Sequence, residues 1–117
     1  MKDYNLYLEK KLNGVRNFFD SELNQFKKNL QFETNEMMLL LIKEARKEKE
    51  KALESAYQRF QKSMEGIEKD RESGKFPSES LDLMEENFKF MFEQSIKFIE
   101  KQWSVFIEGC KDGVKDN

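Results

Sequence analysis

The sequence predicts an all-α protein: an elongated helical bundle of two to three long amphipathic helices, arranged as a helical hairpin with its turn at 73–78. Apolar residues recur every three or four positions along most of the chain, the period of a helix face. Glycine occurs five times and proline once, far too few for a sandwich or barrel that must reverse about every ten residues. Helix stop and start signals coincide at a single cluster, Ser73-Gly74-Lys75-Phe76-Pro77-Ser78.

The first stretch carries Leu8, Leu12, Val15, Phe19, Leu23, Phe26 and Leu30 at spacings of 4, 3, 4, 4, 3 and 4. Its period is nearer ~3.67 than 3.5, so a left-handed heptad coiled coil is not the natural reading. The pattern resumes at Met37, Leu41 and Ala45 and runs on through Leu53, Ala56, Phe60, Met64 and Ile67. One helix from 4 to 72 would be roughly 100 Å long at 1.5 Å per residue. The alternative is a break at Phe32-Glu33-Thr34-Asn35, where Thr34 and Asn35 are poor interior residues and good caps. With that break the chain is a single domain, 1–117, with helices at about 4–32, 35–72 and 79–108 and a flexible tail at 109–117.

At the turn, Gly74 suits the left-handed position that follows a helix C-terminus. Pro77 lacks an N–H and restricts Phe76, so no regular helix should pass through the pair. Ser78 or Ser80 can cap the third helix, with Glu79 and Asp82 in its first turn where the dipole favours anions.

That third helix is expected to face its neighbours with positions 81, 84, 88, 91/92, 95/96, 99, 102/103 and 106. Phe90, Phe98 and Val105 lie outside this stripe, so the apolar arc is wider than a two-helix contact requires. Three lysines against seven acids make the helix locally acidic, unlike one that seeks an anionic membrane. Phenylalanine, at eleven, matches leucine, while alanine occurs three times, so helices here must be spaced by large rings and thioethers. Met37-Met38-Leu39-Leu40-Leu41-Ile42 is apolar right round a helix and needs partners on every side.

Composition narrows the function. A net charge of -2 drives the chain onto neither nucleic acid nor anionic lipid. Mean hydropathy of -0.87 and a longest apolar run of six residues leave no membrane-spanning segment. The absence of histidine removes the commonest general base and zinc ligand, and no glycine-rich phosphate loop exists. Adjacent carboxylates such as Glu85-Glu86 diverge on a helix and make neither an acid/base pair nor a metal site. Lys111 beside the lone Cys110 is the one argument for a reactive thiol, against an incidental cysteine at a helix end. Neither catalytic, cofactor-binding nor metal-binding residues are expected, and no cofactor.

The expected function is therefore non-enzymatic: a cytoplasmic protein–protein interaction, scaffold or adaptor protein acting as a homo-oligomer. Its apolar supply exceeds what one small bundle hides. The expected interaction residues are Met37, Met38, Leu40, Leu41, Phe88, Met91, Phe92, Ile99, Trp103 and Phe106. Partners would be further copies of the chain, in a dimer or higher oligomer, and another protein. In size, cytosolic character and amphipathic helicity the chain resembles the phasins that coat polyester storage granules. That resemblance is one of type, without a diagnostic motif, and the phenylalanine-rich, alanine-poor composition departs from it. It implies an alternative role as an amphipathic coat on a hydrophobic granule or lipid surface.

Overall fold

A computed structural model describes residues 4–28 and 36–115, with side chains to Asp112. Three helices follow in order: α1 (Asn5–Lys28), α2 (Glu36–Ser73) and α3 (Ser78–Lys115). The molecule is a rod of 63 × 19 × 18 Å. Helices α2 and α3 are antiparallel, matched from Phe60 against Phe92 (ring centroids 4.9 Å) to Lys49 against Gln102 (3.2 Å). Helix α1 runs parallel to α3 and packs chiefly on it. The Tyr7 hydroxyl donates to Glu93 at 2.7 Å, Phe19 stacks on Trp103 at 5.1 Å, and Ser104 donates to Glu22 at 3.1 Å. Further links reach α2: Tyr4 and Tyr7 against Phe60, Arg16 to Glu50, and Arg46 to Asp20.

The lengths are unequal. At 24 residues α1 is about 36 Å long, against about 57 Å for each 38-residue helix of the hairpin. It starts level with Phe60 and Phe92, so from there to the turn the hairpin packs without it. Where all three helices overlap, Leu8, Val15, Phe19, Phe26, Leu53, Trp103 and Ile107 are the most deeply enclosed side chains. Each such side chain contributes roughly 1.5–3 kcal/mol when fully buried. The Trp103 indole N–H donates to the Phe19 carbonyl at 3.3 Å, so its one polar atom is satisfied inside.

The reversal falls where the sequence predicts it. Gly74, at φ 67°, closes α2 in the left-handed conformation, and its N–H bonds the Arg71 carbonyl at 3.2 Å. The start of α3 corrects one detail. The Pro77 carbonyl receives the Ser80 and Leu81 N–H groups at 3.1 and 3.2 Å, so Pro77, and neither Ser78 nor Ser80, occupies the capping position. Arg71 then clamps the turn by donating to Asp82 at 2.7 Å and to the enclosed Glu85 at 3.0 Å.

One expected boundary moves. The tail predicted at 109–117 is helical as far as Lys115. Ile107 is wholly buried, Cys110 packs against the core, and Lys111 pairs with Glu108 at 3.0 Å, which carries the helix past Gly109. Among the described residues the bundle has three helices. Leu30 and the expected break at Phe32–Asn35 lie outside the described residues.

Candidate interaction face

Helix α3 presents two apolar rows. The inner row, Leu81, Phe92, Ile96, Ile99, Trp103 and Ile107, is buried against α1 and α2. Its spacing follows the period of a straight helix. The outer row is Met84, Met91, Phe98 and Val105, each seven residues after the last, with Leu83 and Phe90 beside the first two. Apart from Met84, at 41%, these side chains are 60–63% exposed. Together the six present roughly 600–700 Å² to solvent, above the few hundred Å² usual for a patch on a monomer.

The expected interaction residues therefore divide. Phe92, Ile99 and Trp103 are core, so the expectation that they meet a partner is corrected: they stand on the inner row. Phe88 and Phe106 are half-buried at the α2 edge, and Met91 alone among the α3 residues named lies on the outer row. Leu83, Met84, Phe90, Phe98 and Val105 are exposed on α3 and were not among the expected interaction residues. The signal was present, since 84, 91, 98 and 105 share one heptad position, but two rows on one helix blend into a single wide arc. In the other expected patch, Ile42 is buried and Met38 half-buried, while Met37, Leu40 and Leu41 are exposed.

Two shallow grooves flank the outer row where it meets α2. One, of about 310 Å³, is lined by Phe88, Met91 and Ser95 of α3 and by Ala56, Arg59 and Ser63 of α2. The other, of about 420 Å³, is lined by Lys49, Phe98, Lys101, Gln102, Val105 and Phe106. Their walls combine aromatic and thioether side chains with cations and include no carboxylate. Acid is concentrated elsewhere: residues 78–88 hold Glu79, Asp82, Glu85 and Glu86 and no cation.

Titratable groups on the opposite flank of α3 serve the fold. Desolvation and the bond to Glu93 hold the Tyr7 phenol well above its ordinary range. The same hydrogen bond, aided by Lys11, Lys89 and Lys97, lowers the Glu93 pKa. Burial raises that of Glu100. Burial also pushes the Cys110 thiol up, against any activation by Lys111, whose ammonium bonds Glu108 instead. Among the described residues no three His, Cys, Asp or Glu side chains converge to hold a metal ion, and no helix is long and apolar enough to cross a membrane. No family model, curated protein or solved structure matches the chain.

Proposed function

We propose that the protein is a non-enzymatic interaction or scaffold protein of the cytoplasm, which docks partner helices on the outer face of α3. The observation that carries this reading is the heptad spacing of Met84, Met91, Phe98 and Val105. A seven-residue row drifts by about 20° per heptad on a straight helix, and a second helix winding left-handedly follows that drift. A flat hydrophobic surface sets no such period. The core supports the reading from the other side, because Trp103, Phe92 and Ile99 hold α3 in the bundle while the outer row of the same helix stays exposed.

A Met91→Asp/Phe98→Asp double variant tests it. Both residues lie outside the core, so circular dichroism and Tm should stay close to wild type while association with other protein, in solution or by chemical crosslinking, is lost. The granule-coat role uses the same side chains and is separated by titration with triolein droplets. Binding to droplets with unchanged protein association would replace the scaffold reading by the coat. A double variant that behaves like wild type in every assay would remove the outer row from function altogether.

A further inference from the structure

Resting on the reading of the outer row as a helix-docking face, we infer that its occupant is the same row of a second copy, running antiparallel. Three properties of α3 lead there. The first is area: roughly 600–700 Å² of exposed apolar side chain comes close to the ~800 Å² per partner of a standard stable interface. The second is spacing. Equal heptad steps let Met84 oppose the partner copy's Val105 and Met91 oppose its Phe98, with the two-fold axis passing between Gln94 and Ser95.

The third is charge, and it selects the direction. The acidic start of α3 has no cation from 78 to 88, while Lys97 and Lys101 are exposed beside the later part of the row. Lys101, three residues after Phe98, borders the row itself, and in the antiparallel register it lies level with Asn87 and Phe88 of the other copy, so it meets no second cation. A parallel pair would instead set Lys101 against Lys101, which repels. The grooves fit the same arrangement. The one bounded by Phe98 and Val105, with Lys49 and Lys101 on its walls, receives Met84 of the second copy. The one beside Met91, with Arg59 on its wall, receives the second copy's Phe98.

Light scattering at tens of micromolar should give twice the 14.1 kDa of the chain, and Met91→Asp should weaken self-association at least ten-fold without loss of helicity. Register is read with single cysteines in a Cys110→Ser background. Gln94→Cys sits at the two-fold axis and should form an intermolecular disulfide in air, whereas Asn87→Cys should not. A 14 kDa particle overturns the second copy as occupant. If the double aspartate variant still loses association with other protein in that case, the docking face itself survives. Crosslinking of Asn87→Cys at least as fast as Gln94→Cys overturns the antiparallel register, since only a parallel pair brings those positions together.

Discussion

Trp103 and Phe98 lie five residues apart on α3 and have opposite fates. Trp103 has no exposed surface, stacks on Phe19 and Phe106, and donates its N–H to the Phe19 carbonyl. Trp103→Ala should cost ~3–5 kcal/mol as a large-to-small core change, measured by urea unfolding. Phe98→Ala should stay within about 0.5 kcal/mol of wild type when measured on the monomer at high dilution. As the sole tryptophan, Trp103 should emit in the blue and stay there when hydrophobic particles are added. The Tyr7–Glu93 bond makes a pH prediction. The Glu93 pKa is lowered in the fold, so its contribution is present above the ordinary carboxylate range and lost as pH falls through the lower folded value. Tyr7→Phe should therefore cost ~0.5–1 kcal/mol at neutral pH, with the deficit shrinking in acid. The raised Tyr7 pKa acts at the other end, where stability declines as pH climbs past the usual tyrosine range.

Legibility in the sequence varied from element to element for physical reasons. The hairpin turn was readable because a left-handed glycine and a proline impose backbone constraints that need no tertiary context. Gly74→Ala should cost about 1–2 kcal/mol, the strain of an L-residue in that conformation, and thermal melts of the two proteins would show it. The face of α1 was equally plain, since one apolar stripe on a polar helix has one way to turn, and Leu8, Val15, Phe19 and Phe26 are all buried. Helix α3 was not, because its apolar residues cover both the core side and the far side. Periodicity alone cannot say which of Met91 and Phe92 points inward; the decision belongs to α1 and α2, which pack on Phe92 through Tyr7 and Phe60. The helical extension past Gly109 escaped for a related reason. Its support comes from the burial of Ile107 and the packing of half-buried Cys110 against the core, a tertiary effect that outweighs glycine's local cost.

Across the whole molecule, a 24-residue helix is laid against a hairpin of two 38-residue helices, and it stops at Phe60. Cooperativity should therefore be graded along the rod. At the three-helix end, opening one amide requires dislodging Trp103, Phe19 and Ile107 together, so exchange with deuterated solvent should proceed only through global unfolding. Towards Gly74, Ile67 and Leu81 lie in the hairpin beyond the start of α1, and protection should fall progressively from residue 61 to the turn and rise again beyond 91. Equal protection from end to end, measured by hydrogen exchange, would show that the rod unfolds as one unit. A graded profile gives the chain a fixed grip at one end and a compliant fork at the other. Because Met84 stands on the fork and Val105 on the grip, whatever settles on the outer row would tie the yielding end to the rigid one.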